Sequence, residues 1–336
     1  MASLAAALAG WGEPRYRADQ LVEWVYQRGA ETYDAMSNLS KGLRGRLNES
    51  LPLYASRIVR RQDSSDGTRK LLLAWGDGAT SECVLIPDGD RRTACISTQV
   101  GCPVGCVFCA SGLAGLQRQL TTGQIVEQAM RVRQLCGEED RLSNVVFMGL
   151  GEPLANYEAT VGAVRTLNAE WGMGIGARKI TVSTVGLPSQ MRRLADERMQ
   201  ITLALSLHAP NDDLRRQIIP WAERVSIAEL VDAACYYFDV TGREVTLEYI
   251  LLGGLNDGDD HAVQLAQVAR RMRCNVNLIQ YNPVEGLPYL RPADGRAGAF
   301  LDVLRSRHIN THLRRSRGLD IDAACGQLRR RETAGA

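Results

Sequence analysis

The sequence predicts an α/β fold: a partial (β/α) barrel preceded by a small helical N-terminal domain and an antiparallel β extension. Three observations predict it. After Arg92, short apolar runs alternate with amphipathic stretches, the pattern that parallel βαβ units require. Residues 57–86 carry two hairpin-type turn signals. Before them, Leu21, Trp24, Val25, Met36, Leu39, Leu43 and Leu47 recur at helical spacing, interrupted near Gly29.

Residues 2–9, an Ala/Leu run that ends ahead of Gly12-Glu13-Pro14, read as a helix, since the run has no basic leader and is short for a secretory core. With the periodic stretch that follows, it makes a small helical domain over 1–52. Residues 53–91 form the extension, with strands joined at Ser64-Ser65-Asp66-Gly67-Thr68 and at Gly76-Asp77-Gly78. Over 92–314 the strand candidates are 93–98, 144–148, 179–184, 200–206, 244–251, 275–281 and 309–313, and helix candidates lie at 122–135, 157–167, 227–238 and 262–272. Functional loops in such a barrel sit at the C-terminal ends of the strands. Residues 315–336 form a polar tail without strong periodicity.

Hydrophobic residues make up 45% and charged residues 23% of the 336, which excludes disordered and collagen-like classes. No apolar stretch approaches the ~20 residues that cross a bilayer, so no membrane partner is expected. Nine cysteines, an odd number, argue against an extracellular disulfide framework and for a reducing, cytoplasmic setting. The net charge of +2 advertises no polyanionic partner. Lys41, Lys70 and Lys179 are the lysines among 40 basic residues, an arginine excess that fits a GC-rich genome better than it identifies a partner.

The strongest chemical signal is Cys102-Pro-Val-Gly-Cys106-Val-Phe-Cys109, a C-x3-C-x2-C triplet directly after the first barrel strand. An electron-transfer cubane usually takes four thiolates; three leave one iron open to a substrate ligand. A zinc site would recruit a second Cys or His pair, and none is nearby. Chance clustering of buried cysteines is the bland alternative. Gly149-Leu150-Gly151-Glu152-Pro153 follows the second strand, either as a plain strand-to-helix turn or as a small loop that presents a carboxylate to a ligand.

The triplet in this position resembles the radical S-adenosylmethionine (SAM) superfamily. The segments Thr93 to Cys102, Ser206-Leu-His-Ala-Pro-Asn-Asp212, Asn282-Pro283 and Asp320-Ile-Asp-Ala-Ala-Cys325-Gly-Gln-Leu328 look like the RlmN/Cfr family of adenosine RNA methyltransferases. Arg17-Ala-Asp-Gln20 and Ser64 to Gly67 extend the resemblance to nearly the whole chain. It implies a barrel of the radical SAM type and a [4Fe-4S] cluster on Cys102, Cys106 and Cys109. Two SAM molecules would be consumed per turnover, one as methyl donor and one as radical source. It also implies SAM contacts at Gly151, Glu152, Ser183, Ser206, Leu207, His208 and Asn282.

For catalysis, the resemblance implies that Cys325 in the tail accepts a methyl group and that Cys95 later attacks its sulfur, forming a transient disulfide. Glu82, thirteen residues before Cys95, takes the place of the family's proton acceptor. Cys83, Cys136, Cys235 and Cys274 match no functional position and read as small buried hydrophobes. Leu116 and Gln119 depart from the family pattern after the cluster motif. The implied substrates are an adenine of 23S rRNA at the peptidyl-transferase centre, methylated at C2, and the adenine 3′ of the anticodon in tRNA. A monomer served by an external one-electron reductant such as flavodoxin or ferredoxin is expected.

Three basic groups are candidates for RNA phosphates: Arg57 with Arg60 and Arg61; Lys41 with Arg44 and Arg46; Arg314 with Arg315 and Arg317. Two alternatives stay open. One is Cfr-like methylation at adenine C8, which uses the same residues. The other is a non-catalytic RNA-binding module with structural zinc.

Overall fold

The computed structural model describes residues 2–137 and 140–329; the last seven residues of the predicted tail, 330–336, lie outside the described residues. The chain opens with α1 (Ala2–Ala9), α2 (Tyr16–Val22), a π-helical turn at Glu23–Gln27, and α3 (Lys41–Ser50). Ser40 caps α3 by accepting the Leu43 N–H at 3.2 Å. The periodic residues Leu21, Met36, Leu39, Leu43 and Leu47 are buried together with Leu8. Arg44 and Arg46 brace this unit: Arg44 donates to the Asp34 carbonyl, and Arg46 stacks on Trp11 with its guanidinium 4.7 Å from the ring centre. Lys41 stays exposed.

The extension is a meander of β1 (Ser56–Asp63), β2 (Arg69–Trp75) and β3 (Thr80–Asp88), and β1 carries a bulge between Ile58 and Arg60. Gly67 and Gly78 complete the two turns at φ of 84° and 80°, the left-handed region that glycine enters without a Cβ clash. β3 pairs antiparallel with β4 (Arg91–Cys95), so the extension continues the barrel sheet rather than linking to it. β5 (Gln99–Gly101), α4 (Ala110–Leu113) and β6 (Leu116–Gln119) follow, with β5 and β6 in a separate antiparallel ribbon that brackets the cysteine loop.

The βα succession then runs α5 (Thr122–Arg133), β7 (Asn144–Phe147), α6 (Tyr157–Asn168), β8 (Ile180–Thr184), α7 (Pro188–Asp196) and β9 (Thr202–Ser206). It continues through α8 (Asp212–Ile218), α9 (Ile227–Thr241), β10 (Val245–Leu251), α10 (Asp259–Ala269), β11 (Cys274–Gln280), α11 (Arg296–Ser306) and β12 (Thr311–Arg314). Reciprocal capping boxes start α5 at Thr121/Gln124 and α9 at Ser226/Glu229. From β4 through β7, β8, β9, β10 and β11 to β12, neighbouring strands are parallel. The sheet order has β1 and β12 at its two ends, so the barrel is open.

The tail is not the loose segment its composition suggests. After β12 it crosses toward the β1–β2 turn, where Asp66 accepts the Gly318 N–H at 2.9 Å and Asp320 accepts from Ser64 Oγ and the Ser65 N–H. Ile321, Ala323 and Leu328 pack with Val84 and Cys95. No helix among the described residues is long and apolar enough to cross a membrane. The main core lies between the outer helices and the sheet; in it Phe300 of α11 is fully buried and stacks on Tyr249 of β10 at 5.4 Å. Phe300→Ala is expected to cost about 3–5 kcal/mol by the cavity it leaves; a urea unfolding midpoint close to wild type would contradict this packing.

Candidate active site

Two cavities meet the C-terminal ends of the parallel strands. The smaller, about 160 Å³, is bounded by Cys102, Cys106 and Cys109, by Gly151 and Glu152, and by Ser183, Ser206 and His208. The larger, about 710 Å³, runs down the inner face of the sheet past Thr181, Thr202 and Asn277, and reaches Cys95. Cys325, Met148, Glu248 and Arg314 belong to both walls.

The three loop thiols sit between β5 and α4. Burial pushes Cys102 up to about 12, Cys106 well above the ordinary thiol value, and Cys109 upward, with repulsion among the thiolates adding to the rise at Cys102 and Cys106. Such thiols stay protonated until a metal takes the proton's place. Among the described residues, no three His, Cys, Asp or Glu groups gather as a single ion would need. A cubane asks for no such convergence, because each thiolate takes its own iron. The donor set therefore fits an iron–sulfur cluster better than mononuclear zinc.

Glu152 is buried and held from three sides. Its N–H donates to Gln99 Oε1 at 2.7 Å, and its carboxylate accepts the Leu154 and Val185 N–H groups at 3.0 and 2.7 Å. Burial raises it to about 7 against those bonds. The glycines of this loop are obligatory. A Cβ on Gly149 would lie 2.6 Å from Ser97 Oγ, and one on Gly151, at φ 102°, 2.6 Å from Gln99 Cβ. Gln119, one of the departures from the family pattern, accepts from Gln99 Nε2 at 2.9 Å and so belongs to the support of Glu152; Leu116 is exposed.

Ser183 and Ser206, at the ends of β8 and β9, bring their hydroxyls to 3.4 Å from each other. His208 is buried in a left-handed turn at φ 59°. Its Nδ1 accepts the Ile250 N–H at 3.1 Å, and burial, then Arg215, lower its pKa to about 3. It is thus a neutral imidazole whose proton resides on Nε2. Leu207 lines neither cavity; its side chain is in the core. Asn282 spends its amide within the protein, donating to the Cys325 carbonyl at 3.1 Å and accepting from Ser316 Oγ at 2.6 Å.

Cys95 ends β4, and burial, then Cys325, push its thiol up to about 12 while Arg314 pulls it down. Arg314 is raised in turn, chiefly by Cys325, and contacts Met148 Sδ at 3.7 Å. Arg314 thus belongs to the site, and Arg315 and Arg317 line the larger cavity with it. Glu82 is 1% exposed: Lys70 Nζ lies 3.2 Å from Oε1, and the Arg329 N–H donates to Oε2 at 2.9 Å. It lines neither cavity but lies beneath the tail that carries Cys325. Of the four other cysteines, Cys83 is fully buried, whereas Cys136, Cys235 and Cys274 are only partly so.

Two residues escaped the sequence reading. Glu248 sits mid-strand in β10, where all seven residues are buried, and its Oε2 has no hydrogen-bond partner among the described residues. A carboxylate inside Val-Thr-Leu-Glu-Tyr-Ile-Leu is itself a signal, because a charge in a central strand needs a reason. Arg215 is the other.

Residues 96–266 match the Radical SAM superfamily, and residues 1–52 match the ribosomal RNA large subunit methyltransferase N-terminal domain. A radical SAM methyltransferase from Sphaerobacter thermophilus has the same structure at a TM-score of 0.95, with 49% identity over 98% of this chain and 97% of that one. Fold and site together define a radical SAM methyltransferase, a class that works with a [4Fe-4S] cluster and SAM. Two relatives named "Probable dual-specificity RNA methyltransferase RlmN", from Gloeobacter violaceus, and "RlmN 3", from Opitutus terrae, are 48% and 46% identical, over 96% and 97% of this chain and 92% of each relative. The chain belongs to the RlmN family.

The tail's grip on the β1–β2 turn is testable. Burial pushes Asp66 up, but bonds from Thr68 and Gly318 overcome it and hold the carboxyl down at about 2. The stability this contributes is present above the ordinary value of 3.8 and is lost as pH falls toward about 2. Asp66→Ala is expected to speed alkylation of Cys325 severalfold, measured by peptide mapping, while Cys83 stays protected; equal rates in both proteins would rule out the clamp.

Proposed function

We propose that this chain methylates C2 of an adenine in 23S rRNA at the peptidyl-transferase centre, and the adenine 3′ of the anticodon in tRNA, through a methyl group carried on Cys325. One observation carries the reading: Cys325 stands in both cavity walls, facing the three loop cysteines on one side and Cys95 on the other.

Cys102, Cys106 and Cys109 would hold the cluster, and Glu152, Ser183, Ser206 and His208 would surround SAM beside it. When bound, cluster and SAM supply the organic radical that activates a methyl group on sulfur, which adenine C2, a poorly nucleophilic amidine carbon, requires. The electron comes from an external donor such as flavodoxin or ferredoxin. Cys325, beside Arg314 in both cavity walls, would take the methyl group by displacement at the SAM sulfonium. Once the activated carbon has bonded to C2 and the adduct's unpaired electron has been returned to the cluster, Glu82 would accept the C2 proton, the Arg329 segment that covers it having shifted. Cys95 would then attack Cys325 sulfur: a disulfide forms as the sulfur–carbon bond breaks, and the electron pair left on carbon takes a proton to complete the methyl group of the departing adenine. Asn282, in this reading, positions Cys325. The helical unit 1–52 and the extension 53–91 would grip RNA, with Arg57 and Arg60 exposed on the edge strand. The catalytic barrel would span 92–314 and the methyl-carrying tail 315–336.

Mass spectrometry of rRNA and tRNA from a deletion strain is expected to lack 2-methyladenosine. Wild type should restore it and Cys325→Ala should not; loss of 8-methyladenosine instead would move the chain to the Cfr-like reaction. A second measurement concerns Glu152. SAM's ammonium favours the ionised carboxylate, so below pH ~7 binding must first expel a proton. Affinity of the cluster-loaded protein should fall toward about tenfold per pH unit under that value. A pH-independent dissociation constant between about pH 8 and about 6 would remove Glu152 from the contact.

A further inference from the structure

Arg215 on α8 is fully buried, and the chemistry above makes no use of it. Its Nε donates to the Leu207 carbonyl at 3.2 Å, and its Nη atoms donate to the carbonyls of Val225 at 3.4 Å and Val185 at 2.6 Å. All three acceptors are neutral. Among the described residues no carboxylate lies within 4.0 Å of the guanidinium. Asp212, on the same helix, exerts a weaker pull, and its Oδ1 is engaged by the Ile227 N–H at 2.8 Å.

A buried cation without a counter-charge is costly. Burial pushes Arg215 down to about 10, and Cys106 is the strongest influence drawing it back up. The helix is tied to the cysteine loop, since the Val107 N–H donates to the Ile218 carbonyl at 3.1 Å, three residues beyond Arg215. Arg215 lines neither cavity, so its charge acts on a group bound there from behind the wall and not by contact.

We propose that Arg215 is the fixed counter-cation of the iron–sulfur cluster, a positioning residue that raises the cluster's reduction potential across Cys106 while locking the ends of β8 and β9. The inference rests on the reading that Cys102, Cys106 and Cys109 hold the cluster. A cluster held by thiolates is anionic, and taking one electron from a low-potential donor makes it more so; cluster potentials follow net charge and surroundings. Arg215 therefore favours the reduced state.

The test uses the full chain, purified without oxygen, as wild type, R215K and R215Q. Iron and sulfide per chain, melting temperature and the cluster's potential are measured, the last by optical titration with dithionite. At the poise where wild type is half reduced, the reduced-to-oxidised ratio of R215Q is expected to fall about tenfold, or about 59 mV for one electron. R215K, which keeps the charge but not the fork of carbonyl bonds, should stay within about twofold of wild type while melting lower. Equal shifts in both variants, or an unmoved potential in R215Q at full iron content, overturn the inference alone. If R215Q fails to fold or load, R215K decides: a retained potential supports the counter-cation, and a tenfold shift overturns it. Wild-type chain without iron, or a Cys102, Cys106, Cys109 triple-alanine variant that keeps it, sinks the cluster reading as well.

Discussion

The arrangement depends on one contact: the Asp66 carboxylate that accepts the Gly318 N–H. The parallel strands stop short of closing a barrel, and the chain solves this by bringing its C-terminal segment back to the far end of the sheet. Asp320 on Ser64 and Ser65, and Lys70 on the Asp322 carbonyl, repeat the grip. Farther along, the Gly326 carbonyl accepts the Ala110 N–H at 2.8 Å, and the Leu328 carbonyl accepts from Ser111 Oγ at 2.7 Å. One sulfur is thereby fixed beside both the cysteine loop and the inner face of the sheet. Each bond is modest alone; a series along a dozen residues gives the segment a defined path.

The electrostatics follow from that closure. Where the site's groups are buried in its walls, thiols rise, an imidazole is held neutral, and a carboxyl is brought near neutrality. Two arginines then act locally. Arg314 sits among Cys325, Cys95 and Glu248, and Arg215 stands behind Cys106. The groups that a cation or a sulfonium-bearing ligand would meet are those whose charges burial suppresses.

Much of this was legible in the sequence. Every strand candidate after Arg92 corresponds to an observed strand, because buried parallel strands are apolar runs bounded by turns. The helices α4, α7, α8 and α11 and the short strands β5 and β6 carry no such signal: α4 is a single turn, α8 is one cap and two turns, and α11 follows a stretch rich in Gly and Pro. The tail misled for a physical reason. Ala323, Ala324 and Ile321 are buried by surfaces elsewhere in the chain, so no local periodicity announces them. Arg314, Arg315 and Arg317 read as one basic run, yet Arg314, the last residue of β12, is drawn among Cys325, Cys95 and Glu248, while Arg315 just beyond the strand is exposed. The cysteine triplet and the glycine loop stood out because their chemistry depends on spacing, whereas Glu248 and Arg215 acquire meaning from what the fold places around them.

The bulge in β1 has a consequence for how copies of the protein behave in a crowded solution. A regular outer strand leaves a ladder of unpaired amides that invites a neighbour to add on. Here the ladder is offset between Ile58 and Arg60, and the exposed guanidinium groups at Arg57, Arg60 and Arg61 line the same margin. Lateral sheet-to-sheet stacking is thereby disfavoured at the β1 border of the large sheet.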